Sequence, residues 1–230
     1  MARASAGMAG ALVIGALGTA ILLALGVWQL QRLEWKEGLI AEIESRLAAE
    51  PVPIPRDPEP AEDRFLRVAV EGRLGDGAAY RLTTMRPHGP GFDVIAPVVT
   101  EEGRRVLADL GYIEEGRKGA VLPPAGTPVS LTGALFWPDD PGSAPAPDLE
   151  RNIWFARDVD RLAEVLGTEP VLVVAERHDL GERPIAERIA HGLPNNHLNY
   201  AITWFSLAAV WAAMSLFWAW RSVRARRPSG

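Results

Sequence analysis

The side chains able to do metal or acid–base chemistry are few and unevenly placed. Cysteine is absent and there are four histidines, His88, His178, His191 and His197. His197 stands apart because it opens a long uncharged run, "HLNYAITWFSLAAVWAAMSLFWAW". His197, Trp204, Trp211 and Trp218 recur at seven-residue steps, and Tyr200, Leu207 and Met214 each follow one of the first three by three residues. A heptad drifts only about 20° on a helix, so these side chains form one stripe. An imidazole at the head of such a stripe is either an interfacial residue bonded to water or a ligand, and the residues alone leave both open. Ligation is geometrically available. An apolar iron macrocycle held at His197 could lie down the stripe, with Trp204 roughly 10 Å deeper at 1.5 Å per residue. The plainer alternative is that the stripe packs on another helix, with Trp204 near one water interface and Trp218 and Trp220 in an aromatic belt at the other. Asn195 or Asn196 is expected to cap this helix through its side-chain oxygen.

The rest of the chain offers little chemistry. His88 lies in the turn "RPHGPG", and His178 and His191 are isolated, so all three are expected to be solvated. G-x-S-x-G, H-E-x-x-H and phosphate-loop patterns are absent, and with them any recognisable catalytic constellation. Asp139-Asp140 between prolines reads as a solvated turn, having no further ligand at metal-binding spacing. Without cysteine there is no disulfide, no thiolate metal site and no C-x-x-C-H haem attachment, so any haem would be held non-covalently. Copper delivery is disfavoured for the same reason, because soft Cu(I) selects sulfur ligands. An acidic chain, net −5, also argues against nucleic acid.

Two apolar segments must position these residues. Met8 to Val27 is twenty residues without a charge, and Leu198 to Trp220 is a second such run. Each matches the roughly 20 residues that cross a bilayer as a helix. The first run exceeds a signal-peptide core of about 7–15 residues, so it is expected to stay as an anchor. Gly7, Ala11, Gly15 and Thr19 recur every four residues on it and would admit close approach of the second span. The tails are purely basic (Arg3, Arg221, Arg224, Arg226, Arg227), whereas the segment between carries 29 acids against 19 bases. Positive-inside reasoning therefore puts both termini in the cytoplasm and the central domain across the membrane.

Past the first span, Leu33, Ile40, Ile43 and Leu47 keep helical spacing. The predicted organisation is a cytoplasmic N-terminus 1–7, transmembrane helix 8–30, amphipathic extension 31–50, non-helical Pro-rich connector 51–63, β-rich domain 64–193, transmembrane helix 194–220 and basic tail 221–230. Within the domain, "FLRVAVEGRL", "AAYRLTT", "FDVIAPVVT", "RRVLADLGYIEE", "PVSLTGALFW" and "PVLVVAERH" read as six strands, "TEEGR" as a hairpin turn and Asp158 to Leu166 as a short helix stopped by Gly167. The fold class is α+β, two transmembrane helices flanking a mainly antiparallel barrel or sandwich.

Taken together, "LGVWQLQRLEWK" (Gly26, Trp28, Gln29, Arg32, Lys36), "PGFDVIAPV" and above all "PNNHLNYAITWFSLA" resemble the Surfeit locus protein 1 family of haem-copper oxidase assembly factors. The resemblance covers most of the chain. It departs at "LADLGYI", where family members commonly carry a "VNRGW"-like strand, which leaves the oxidase subtype open. The resemblance implies a non-enzymatic assembly factor that binds haem a transiently and assists its insertion into cytochrome c oxidase subunit I. His197 would be the axial ligand of the haem iron, with Tyr200 and Trp204 as pocket wall. It also implies haem a synthase as a further partner, contact with membrane lipids, and a place in the bacterial inner membrane with a periplasmic central domain. The competing expectation is a membrane scaffold that holds an oxidase intermediate without haem.

Overall fold

The computed structural model describes residues 2–120, 122–138, 144–181, 184–186 and 195–224. Asp139, Asp140 and His191 lie outside them, as does the tail beyond 224. The chain forms two compact units, Met1–Ala41 with Leu193–Gly230, and Glu42–Gly192.

The central unit is built on strands β1 (Arg67–Leu74), β2 (Ala79–Met85), β3 (Gly89–Thr100), β4 (Arg105–Glu114), β5 (Pro128–Leu135), β6 (Ile153–Trp154) and β7 (Leu172–His178). Six were legible as Val- and Leu-rich runs; β6, only two residues long, was not. The sheet order is β1-β5-β7-β4-β3-β2-β6, and β1 also pairs with β3 through Gly72–Thr100, Arg73–Val99 and Leu74–Val98. Gly72 permits this double pairing, because a Cβ there would stand 2.3 Å from the Val99 carbonyl oxygen. The sheet is mixed. Most pairs are antiparallel, but β4–β7 and β2–β6 run parallel. β5 and β7 themselves pair antiparallel, although the segment joining them carries β6 and a helix.

Burial explains why the central strands read as continuous apolar runs. Phe92 to Val98 of β3 and Val106 to Ile113 of β4 are buried without alternation, the pattern of strands covered on both faces. One core gathers Val68, Val98, Leu110, Leu131 and Val173. The other sets Ile95, Leu107, Leu172 and Trp154 against Val159, Leu162 and Ala163 of α3 (Val159–Leu166), which follows α1 (Ala2–Ala48) and the single turn α2 (Pro60–Asp63) in the chain. Helix α3 starts where Asp158 Oδ1 accepts from the Arg161 N–H at 3.2 Å, and it stops at Gly167 in the left-handed conformation.

The Pro-rich stretch contains one helical turn, Pro60–Asp63, where no helix was expected. Proline at the first helical position forfeits no hydrogen bond, because that N–H has no partner within the helix. Asp63 Oδ2 accepts from the Glu59 N–H at 2.9 Å and closes the turn. The remainder is extended and tied to the sheet. Val52 bridges to Val68 in parallel, and Arg104, in a fork on Glu169, donates to the Pro55 carbonyl at 2.7 Å.

A polar feature invisible in the sequence pattern lies inside this unit. Asp93 and Asp109 are buried in the middle of the apolar strands. Arg157 donates through Nε to Asp109 Oδ2 at 2.7 Å and through Nη2 to Asp93 Oδ2 at 3.1 Å, and Arg81 pairs with Asp93 as well. Asp109 Oδ1 also accepts from the Gly111 N–H at 3.1 Å. Gly111 has φ of +108°, and a Cβ on it would fall 2.1 Å from the Ile185 carbonyl oxygen. Opposite charges in one network satisfy groups that would each be costly to bury alone.

A candidate ligand site on the paired apolar helices

The other unit contains two helices long and apolar enough to cross a membrane, within Ala2–Ala48 (α1) and His197–Arg224 (α4). They pair antiparallel, as the contacts show. An ideal Cβ on Gly15 would meet Ser215, one on Gly18 would meet the Trp211 ring at 2.5 Å, and one on Gly26 would meet Phe205 at 2.7 Å. Ala201 and Ala208 are the buried residues of α4 on this face. Trp211 Nε1 donates to the Gly15 carbonyl at 3.1 Å, and Thr19 Oγ1 donates to the same oxygen at 2.8 Å. Small residues let the two backbones approach, which is what favours pairing when lipid is as apolar as the side chains.

The packing alternative holds in part. The contact face is Ala201, Phe205, Ala208, Trp211 and Ser215, so the heptad stripe meets α1 at His197 and Trp211. Trp204 is half-buried, while Tyr200, Leu207, Met214 and Trp218 are exposed, Trp218 as an interfacial residue would be. The expected small-residue face is present at Ala11, Gly15 and Thr19, and it continues through Gly18 and Gly26. The side chain of residue 7 lies outside what is described.

His197 opens α4 and is half-buried. Its Nδ1 lies 2.8 Å from Oε1 of Gln29, a residue only 8% exposed. An amide oxygen can only accept, so Nδ1 carries a proton and donates to it. In the neutral ring this leaves the lone pair on Nε2, which makes no hydrogen bond to a described residue. Orientation of one ring nitrogen by a buried acceptor, leaving the other as the donor atom, is the arrangement found behind metal-ligating imidazoles. Tyr200 and Trp204 follow at one and two turns, so both predicted wall residues lie beneath the imidazole, Trp204 half-buried and Tyr200 exposed.

The capping expectation holds only in position. Asn196 precedes α4 and its main-chain carbonyl accepts from the Tyr200 N–H at 3.3 Å, whereas Asn195 Oδ1 is buried without a hydrogen-bond partner. His178 is not simply solvated: its Nε2 sits 3.0 Å from the Leu110 carbonyl and 2.9 Å from that of Pro184. His88 is exposed, as expected, with its Nδ1 4.0 Å from Glu114 Oε1. Among the described residues no group of three His, Asp or Glu could hold a bare metal ion, so a metal at His197 would have to bring its other ligands with it.

The residue that sequence reasoning passed over is Gln29. It appeared only as one position of a motif, though an amide at the end of an apolar span is a signal in itself, because an unpaired amide there is costly.

The sequence profile of the SURF1 family matches residues 16–209, which takes in both Gln29 and His197. The chain is 30% identical over 230 residues to Surfeit locus protein 1 of Mus musculus, covering 87% of this chain and 72% of that protein. It is 30% identical over 221 residues to the Homo sapiens protein of the same name, covering 84% and 71%. With a SURF1-like protein of Drosophila melanogaster the identity is 29% over 228 residues, covering 89% and 74%. A match that runs from the first apolar helix through the sheet into the second apolar helix places this chain in the SURF1 family.

Proposed function

We propose that this chain binds haem a and assists its insertion into subunit I of cytochrome c oxidase, acting as a carrier and not as a catalyst. The observation that carries the proposal is the His197–Gln29 pair: a buried amide oxygen at 2.8 Å holds the imidazole in the tautomer whose Nε2 can ligate iron. When bound, the haem iron supplies the acceptor for that lone pair. The residues of the chain do the rest. Gln29 orients the ring, and the apolar side chains of α4 below it, Tyr200 and Trp204 first, offer a surface to a lipophilic macrocycle. Tyr200 is 56% exposed on a helix apolar enough to face lipid, so the surface is open at the side. An open site suits transfer, since a carrier must release its ligand to a partner. We take the partners to be subunit I, haem a synthase and the surrounding lipids. We place the chain in a bacterial inner membrane, with both termini cytoplasmic and the sheet unit periplasmic, on the charge asymmetry of the sequence. We read the return pairing of β1 with β3 as closure of that sheet into a small barrel.

Purification of the full chain from cells that make haem a, followed by visible spectroscopy, tests the proposal. Wild type is expected to carry haem and His197→Ala to lose most of it. If the variant supports oxidase assembly as well as wild type while binding no haem, the carrier role is wrong.

A further inference from the structure

Arg32 is the first charged residue after the apolar run of α1. Its guanidinium carbon lies 5.7 Å from the ring centroid of Trp28 and 5.4 Å from that of Trp35. Both indoles are largely exposed, at 47% and 59%. Two indoles flanking the guanidinium carbon use its π-face, and the in-plane N–H donors stay available to an acceptor. Arg32 has no acidic partner among the described residues, and its side chain is exposed.

Its place relative to His197 is fixed by helical geometry. Arg32 is three residues beyond Gln29, so it lies about 60° around α1 and about 4.5 Å further along. Tyr200 is likewise three residues beyond His197 and about 60° around α4. Because the two helices run antiparallel with Gln29 and His197 facing each other, equal offsets turn both residues to the same side of the pair. They go in opposite directions along it, Tyr200 toward the apolar middle and Arg32 toward the charged end. A ligand centred on His197 would therefore meet apolar side chains below and a caged cation above.

Resting on the haem reading of the preceding section, we propose that Arg32, held by Trp28 and Trp35, is the carboxylate anchor of that site and takes a propionate of the bound haem. The chemistry matches. Haem is an amphiphile whose propionates occupy one edge, and a guanidinium fork is suited to a carboxylate by charge and by geometry. The anchor sets which edge of the macrocycle points to water, and hence which edge lies along Tyr200 and Trp204. Arg32 is thus a binding residue for the acid groups and has no role at the iron.

The test compares haem a with its dimethyl ester, in which both propionates are uncharged, titrated into the full chain in discs of zwitterionic phospholipid. Wild type is expected to bind the free acid about tenfold more tightly than the ester, the magnitude of one charge-assisted hydrogen-bonded pair. Arg32→Gln is expected to bind both forms with the affinity wild type shows for the ester, and Arg32→Lys to recover part of the difference. The visible spectrum of the bound iron should be the same in all three proteins. Equal binding of acid and ester by wild type overturns the proposal, as does a preference for the acid that survives in Arg32→Gln. So does an equal loss for both forms in Arg32→Gln, which would assign Arg32 to helix or lipid contacts instead. If wild type binds neither form, the haem reading itself fails. If binding is present and needs His197 but shows no acid preference, only the anchor fails.

Discussion

Replacing Gln29 by Leu separates ligand orientation from simple helix packing. Leucine nearly fills the space of the amide but cannot accept a hydrogen bond from His197. Gln29 is 8% exposed, so water does not readily take its place, and the Nδ1–H loses its 2.8 Å partner. Leaving a buried donor unpaired costs roughly 1–3 kcal/mol. The ring can recover part of that by rotating toward water or by shifting its proton to Nε2, and either change removes the lone pair from the ligand position. Loss of such an orienting partner typically weakens metal binding about 10- to 100-fold. Gln29→Leu is therefore expected to bind haem a some 10- to 100-fold more weakly than wild type, with broadened or shifted visible bands. Gln29→Glu, which keeps an acceptor at the same reach, should stay close to wild type. The assay is a haem titration of detergent-solubilised full chain, with circular dichroism to confirm that the helices persist. Wild-type affinity and an unchanged spectrum in Gln29→Leu would refute the orienting role.

Further expectations concern the framework. Gly18→Leu should force the helices apart, since even a Cβ there meets the Trp211 ring at 2.5 Å; in this cysteine-free chain, the disulfide yield between Gly15→Cys and Ser215→Cys reports the separation directly. Gly111→Ala should destabilise the sheet unit by about 2 kcal/mol or more, because φ is +108° and the Ile185 carbonyl blocks the new methyl; chemical denaturation of the full chain measures it. Arg157→Met should cost roughly 3–5 kcal/mol by the same assay, as it strips a cation from two buried aspartates.

Much of the sheet unit could be read from composition because its local signals agree. Asp158 and Gly167 bracket their helix as a cap and a stop should, and the buried runs of β3 and β4 announce strands covered on both faces. Pairing direction could not be read, since β4–β7 and β2–β6 join segments distant in sequence and nothing local marks them as parallel. The Asp93–Asp109–Arg157–Arg81 network was hidden for a related reason: each member looks like an ordinary surface charge until the strands bring them together. On the helices, tryptophans at heptad spacing suggest one continuous packing stripe, yet Trp211 is the one of them that contacts the glycine face of α1. Between helices facing lipid there is little hydrophobic drive to bury Trp218 or Met214, and the alanines and glycines pack instead. His197 stood out by its chemistry, whereas Gln29, its hydrogen-bond partner, became meaningful only once α1 and α4 were side by side.

Chemical rescue decides whether His197 Nε2 is the iron ligand, as proposed. His197→Gly leaves a space that free imidazole can fill. This variant is expected to take up little haem a alone, and to regain wild-type band positions and stoichiometry when imidazole is added. Full haem binding by His197→Gly without imidazole, at unchanged band positions, would contradict it.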